Sequence, residues 1–144
     1  MQLDDTDRKL IVLLAQNART PVSELGRRLG IARTTVQARI DRLVTNKGIA
    51  GFTIRKGEML KSAIRATVMI CVEPNAGASV LSRLKTLAGI ETVHTVSGRV
   101  DMIVEVSSPS TEALDFVLDQ IGQASGVKSS ESLIHLSTKI ERSG

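Results

Sequence analysis

Between Arg33 and Arg42 the polar or small residues Arg33, Thr34, Thr35, Gln37, Ala38, Arg39, Asp41 and Arg42 interleave with the apolar Val36, Ile40 and Leu43. The apolar three recur at helical spacing, which turns the others outward or to the flanks. That outer set carries the chemistry of DNA reading. Arg grips the O6 and N7 acceptors of guanine, Gln pairs with adenine, and Thr touches a phosphate or a thymine methyl. Residues Arg33 to Gln37, near the helix start, are expected deepest in the groove. Arg27 and Arg28, with Arg19 and Lys47, are placed to hold phosphates and set the docking angle. Arg39 is expected to add affinity at every site, and Gln37 to set sequence preference.

Other chemistries find little material. Cys71 is the one cysteine, so neither an internal disulfide nor a thiolate zinc cluster can form, and a reducing compartment is expected. His94 and His135 are too few for a multi-histidine metal site. All three read as packed or solvated strand residues, and no metal, cofactor or catalytic residue is expected. Phe52 and Phe116 are the only aromatics, which removes base stacking as a binding mode and makes the core aliphatic.

A chain of 144 residues holds one domain or two small ones, so an eight-stranded α/β barrel does not fit. The apolar runs Leu10 to Ala15 and Val68 to Val72 fall far short of the roughly 18 residues of a membrane span. The start Met-Gln-Leu-Asp-Asp-Thr-Asp is acidic, unlike a signal peptide. A cytoplasmic protein with no membrane partner is expected.

The elements that must position the reading residues follow from periodicity. Asp4 caps a helix from Asp4 to Asn17 carrying Leu10, Ile11, Leu13 and Leu14. Thr20-Pro21 reads as a capping hydroxyl and first-turn proline for a short helix with Val22, Leu25 and Leu29, closed by Gly30. The linker Gly30-Ile31-Ala32 then leads to a third helix, from Arg33 to Asn46, which makes a helix-turn-helix candidate. Lys47 to Arg55 alternates as a short strand or wing does, and a connector follows up to Arg65.

Beyond it the period changes. Ala66 to Val72, Ile90 to Val96, Met102 to Val106 and Val127 to Ile140 read as strands, the last with Ile134, Leu136 and Ile140 on one face. Ala78 to Ala88 and Ser110 to Gln123 read as helices, and Ser97 to Asp101 as a turn. The order βαββαβ predicts a ferredoxin-like sandwich, so the whole chain is α+β.

Charge divides with the pattern. Residues 1 to 65 hold 13 Lys+Arg against 6 Asp+Glu, and residues 66 to 144 hold 6 against 9, a basic half followed by a mildly acidic one. Together with the trihelical pattern and the turn length, this points to double-stranded DNA as the partner of the first half.

The chain resembles the Lrp/AsnC, or feast/famine, family of transcriptional regulators from end to end. The likeness rests on Leu3-Asp4 through Asp7-Arg8-Lys9, Asn17-Ala18-Arg19, Glu24-Leu25, Arg39-Ile40, Leu43, Gly48 to Phe52, Val93 through Gly98 with Asp101, and Gly126-Val127. The resemblance implies a winged helix-turn-helix domain over residues 1–52, a linker over 53–65, and a ferredoxin-like (RAM-type) effector-binding and oligomerisation domain over 66–144. It further implies homodimers that often assemble into octamers, with a small effector, commonly an amino acid, bound between dimers.

Carried over by position, the effector would meet Gly98, Arg99, Val100 and Asp101, with Ser130 and Ser132 where the family often has threonines. Asp101 would receive a ligand ammonium, and the turn amides with Arg99 a carboxylate. Hairpin geometry alone also accounts for Gly98, and a turn cap for Asp101. The chain departs from the family at Ala32, where a serine usually caps the recognition helix, and at Val100, often an aromatic.

Two other functions compete with the regulator. The resemblance extends to sirohaem decarboxylases, whose tetrapyrrole chemistry needs histidines this chain scarcely has. A sensing module without DNA binding is the other, and the Arg-rich third helix argues against it.

Overall fold

The computed structural model describes residues 2–61 and 64–142. It falls into two compact units, one holding the three N-terminal helices and the other spanning Lys56–Glu141. Among the described residues, no helix is long and apolar enough to cross a membrane.

In the first unit, α1 (Asp5–Gln16), α2 (Val22–Leu29) and α3 (Arg33–Thr45) enclose Leu10, Leu14, Leu25, Val36 and Leu43, all buried. Ile40, Ile49 and Leu29 pack at the rim. Asp4 caps α1 in a reciprocal capping box: its Oδ1 accepts from the Asp7 amide at 2.7 Å, and the Asp4 amide donates to Asp7 Oδ2 at 3.3 Å. Ala32 precedes α3 with no side-chain cap, as its methyl dictates.

The turn between α2 and α3 rests on two glycines. Gly30 sits at φ 70°, the left-handed conformation that ends a helix with least strain in glycine. Gly26 has no room for a side chain, because a Cβ there would lie 2.6 Å from the carbonyl oxygen of Ile31. The Ile31 amide donates to Gly26 O at 3.0 Å, which draws the turn down onto α2.

Two local expectations give way here. Thr20 does not cap α2: Pro21 takes that position with no side-chain bond, and the Thr20 hydroxyl donates back to Asn17 O at 2.8 Å. The strand or wing expected over Lys47 to Arg55 is not formed either. Lys47 turns the chain at φ 62°, the Ile49 amide returns to Leu43 O, and residues 50–57 carry no strand. Alternation alone makes no strand without a neighbour to pair its amides, and Phe52 and Ile54 stay largely exposed.

The second unit is a four-stranded antiparallel sheet in the order β2-β3-β1-β4, built from β1 (Ile64–Val72), β2 (Ile90–Thr95), β3 (Met102–Ser108) and β4 (Val127–Ile134). Ala66, Val68 and Ile70 of β1 and Met102, Val104 and Val106 of β3 alternate inward, where α4 (Gly77–Leu84) and α5 (Thr111–Gln123) cover them with Val80, Leu84, Leu114, Val117 and Ile121. This is the expected ferredoxin-like arrangement.

β4 is shorter than expected. Its last paired residue is Ile134, opposite Ala66, and the His135 amide still reaches Arg65 O. The apolar rhythm of Leu136 and Ile140 therefore continues with both side chains exposed and no strand beneath it.

Gly26→Ala tests the close approach at the helix-turn-helix. Overpacking against a fixed carbonyl outweighs the better helix propensity of alanine, a net loss of about 1–2 kcal/mol. Thermal unfolding should show Tm lowered by roughly 5–10 °C, whereas an unchanged Tm would mean the turn is free to shift.

Candidate functional site

The expected DNA-facing residues divide into two sets. Arg33, Thr34, Thr35, Gln37 and Ala38 are all exposed on α3, and Arg19, Arg27, Arg28 and Lys47 are exposed around it. Arg27 and Arg28 have one loose partner, Glu24 Oε1, at 3.7 and 3.6 Å. Exposed pairs of this length yield little stability, so both guanidiniums stay available to a phosphate. Gln37 Nε2 donates to Asp41 Oδ1 at 2.9 Å, one helical turn further on.

Arg39 and Arg42 form the second set, and the structure engages them differently from the expectation. Arg39 Nη1 donates to both carboxylate oxygens of Asp4 and to Asp7 Oδ1, each at 2.9 Å. Arg42 Nη2 donates to Asp7 Oδ2 at 2.7 Å. Asp7 retains only 1% of its side-chain exposure and Arg39 23%, while Arg42 keeps 47%. Arg39 is thus a tie from α3 to α1, and Arg42 is half tie and half free cation.

The sequence assigns Asp4 to the cap and shows nothing directly of this second employment of Asp4 and Asp7. The available signal was the matched spacing of two acids, three apart, and two arginines, also three apart.

The electrostatics follow from the geometry. The hydrogen bond from the Asp7 amide, reinforced by the Arg39 guanidinium, holds the Asp4 carboxyl below the usual carboxylate range. The same contacts, that with Asp4 foremost, raise Arg39 above an already high value. Arg39 Nε is buried without a hydrogen-bond partner among the described residues.

In the second unit, the expected effector residues lie in the turn between β2 and β3 and on β4. Gly98 lies at φ 137° in open space. The Val96 amide bonds to Asp101 O, the Asp101 amide to Ile70 O, and the Val72 amide donates to Asp101 Oδ2 at 2.8 Å. Asp101 is thus a cap for the end of β1, with one carboxylate oxygen already committed. Cys71 Sγ meets the Arg99 carbonyl at 3.5 Å.

Ser130 pairs with Ile70 and Ser132 with Val68, so both serines point to the helix-covered side of the sheet, and Glu131 to the other. The Ser130 hydroxyl lies beside Gly122 of α5, where an added Cβ would meet it at an ordinary 3.6 Å contact. Met102, which follows the turn, stands on the same rung as Ile70 and Ser130, and the turn itself reaches the end of β1, the strand beside β4, through Asp101 and Arg99. A groove of about 400 Å³, lined by Ser79, Arg83, Gln120, Gln123, Ala124 and Ser125, contains none of them.

His135 lies just past β4, with Nε2 2.8 Å from Thr67 Oγ1, which also contacts both Glu105 oxygens. Among the described residues, no group of His, Cys, Asp and Glu has the arrangement of a metal site.

Comparison with known proteins covers both units. Residues 3–44 match the profile of the AsnC-type helix-turn-helix domain, and residues 65–144 that of the Lrp/AsnC ligand binding domain. The HTH-type transcriptional regulator FL11 of Pyrococcus furiosus is 32% identical over 135 residues, 93% of this chain and 89% of its own. The E. coli AsnC structure has a TM-score of 0.90 at 25% identity, covering 99% of this chain and 98% of that one. The feast or famine regulatory protein from M. tuberculosis complexed with L-methionine has a TM-score of 0.85 at 30% identity, covering 97% and 96%.

Asp7→Asn keeps the shape but removes the charge that two guanidiniums share. It should cost about 2–3 kcal/mol, less than a wholly buried pair because Arg42 is half exposed. Since the Asp4 carboxyl is lowered on folding, its stabilisation is complete above about pH 4 and is lost as pH falls through the lowered value. Urea unfolding across pH 2–6 should show Asp4→Asn with a shallower acid decline than the parent protein; parallel declines would contradict this.

Proposed function

The chain belongs to the Lrp/AsnC family of transcriptional regulators, and on that premise we propose that it regulates transcription by reading double-stranded DNA with α3 under control of an amino-acid effector. The observation that carries the DNA reading is the exposed run Arg33, Thr34, Thr35, Gln37 and Ala38 at the start of α3. It is presented by a tight glycine turn and backed by the free cations Arg19, Arg27, Arg28 and Lys47. Arg33, Gln37 and the threonines contact bases, the four other cations contact phosphates, and the exposed part of Arg42 adds a phosphate contact at the groove edge.

In this reading residues 1–52 are the DNA-binding domain, 53–65 the linker and 66–144 the effector-binding and assembly domain of a cytoplasmic homodimer that assembles further. The M. tuberculosis relative supports an amino acid such as L-methionine as effector. In each chain the ligand-facing groups are the turn Gly98–Asp101 and the serines Ser130 and Ser132, and the site is completed by a second dimer. The effector shifts the balance between assemblies and thereby the spacing of paired α3 helices. The protein works by binding, without catalysis or cofactor, as befits relatives named as regulators.

Footprinting on the protein's own upstream region should show two protected half-sites about 34 Å apart, or a multiple of it. Protection equal to that of random DNA at near-physiological salt would remove the reading. Arg33→Ala should relax base preference with the slope of log affinity against log salt unchanged; a slope reduced by about 1 and equal loss on every sequence would move Arg33 to the DNA backbone and contradict this. L-methionine at about a hundred times its Kd should raise stability by about 2.7 kcal/mol. A thermal-shift panel of amino acids in which none moves Tm would overturn the effector assignment.

A further inference from the structure

α3 carries one acid, Asp41, on the helix that the proposed function places against a polyanion. Among the described residues Asp41 has no ion-pair partner, and its side chain is bonded to Gln37 alone, at 2.9 Å. A carboxylate facing phosphates without a cation opposes binding, so charge compensation does not explain its presence.

Hydrogen-bond chemistry offers an explanation. A carboxylate can only accept, so the Gln37 amide must turn its nitrogen toward Asp41 and its oxygen away. Of the two amide protons one is used, and the outward face of Gln37 is left with one acceptor, Oε1, and one donor. Both residues are exposed, so this pre-set edge is available to a ligand.

Resting on the reading that α3 enters the major groove, we propose that Asp41 is a specificity-determining residue: by locking the Gln37 amide it makes this point of the helix select adenine, the base that fits both remaining groups. Adenine offers N6–H₂ to Oε1 and N7 to the remaining N–H, and so fits both groups. Cytosine offers N4–H₂ to Oε1 and fits one. Guanine O6 or N7 and thymine O4 can take only the remaining N–H, so each fits one group, and guanine also sets its second acceptor against Oε1. A free glutamine would rotate its amide to suit these bases; one held by Asp41 is discouraged from doing so.

The test is selection from randomised duplexes by the full-length protein and its Gln37→Ala, Asp41→Asn and Asp41→Ala variants, with each variant's fold checked by thermal unfolding. The position whose preference Gln37→Ala erases is the one Gln37 controls. There the parent protein should favour adenine over the other three bases by about tenfold or more, with guanine last. Both Asp41 variants should reduce that ratio to a few-fold and admit guanine, while other positions keep their preferences.

A base other than adenine preferred by the parent, an unchanged preference in the Asp41 variants, or no position sensitive to Gln37→Ala would each overturn the proposal and leave DNA reading by α3 standing. A parent protein that enriches no sequence at all would instead remove the functional reading beneath it.

Discussion

A carboxylate almost entirely withdrawn from water must be met by charge and hydrogen bonds, and at Asp7 that need is met by α3. Its two oxygens take Arg39 and Arg42, while the Asp4 cap beside it takes Arg39 again. The start of α1 and the middle of α3 are thereby fixed to one another more than thirty residues apart in sequence. The buried aliphatic residues tolerate small shifts, but a guanidinium shared between two carboxylates does not. The network adds to the burial of Val36 and Leu43 in holding α3 so that Arg33, Thr34, Gln37 and Ala38 face outward.

The same requirement alters the meaning of the basic half. Two of its arginines are matched by α1 carboxylates, and the cations left for a nucleic acid lie at Arg33, around α2, and at Arg19 and Lys47. Affinity from these scattered, exposed groups is salt-sensitive and carries little sequence information. Sequence information has to come from the few side chains whose geometry is set in advance, and Gln37 held by Asp41 is one of them. The second unit has a different logic: one face of its sheet is covered by α4 and α5, and the turn at Gly98 is tied to the end of β1 through Asp101.

Local features were legible because they depend on neighbours in sequence. The Asp4 cap, the Gly30 stop, the uncapped Ala32 and the inward faces of α3, β1 and β3 follow from periodicity and side-chain chemistry within a few residues. What depends on a distant partner was not. Nothing near Arg39 announces that Asp4 and Asp7 will claim it. Phe52 and Ile54 alternate as a strand does, yet have no ladder to join, and Leu136 and Ile140 keep the rhythm of β4 beyond the last pairing to β1. Gly98 and Asp101 were read correctly as turn residues from type and spacing, and the commitment of the Asp101 carboxylate to the Val72 amide strengthens that structural role without removing its free oxygen from ligand recognition.

The claim that joins fold to function is that Arg39 serves α1 while the other face of α3 serves DNA. The salt dependence of duplex DNA binding by Arg39→Ala, measured well below its unfolding temperature, tests this most directly. An arginine that touches a phosphate contributes about 1 to the slope of log affinity against log salt. The account predicts the parent slope for Arg39→Ala together with a lowered Tm. A slope reduced by about 1 with stability intact would contradict it.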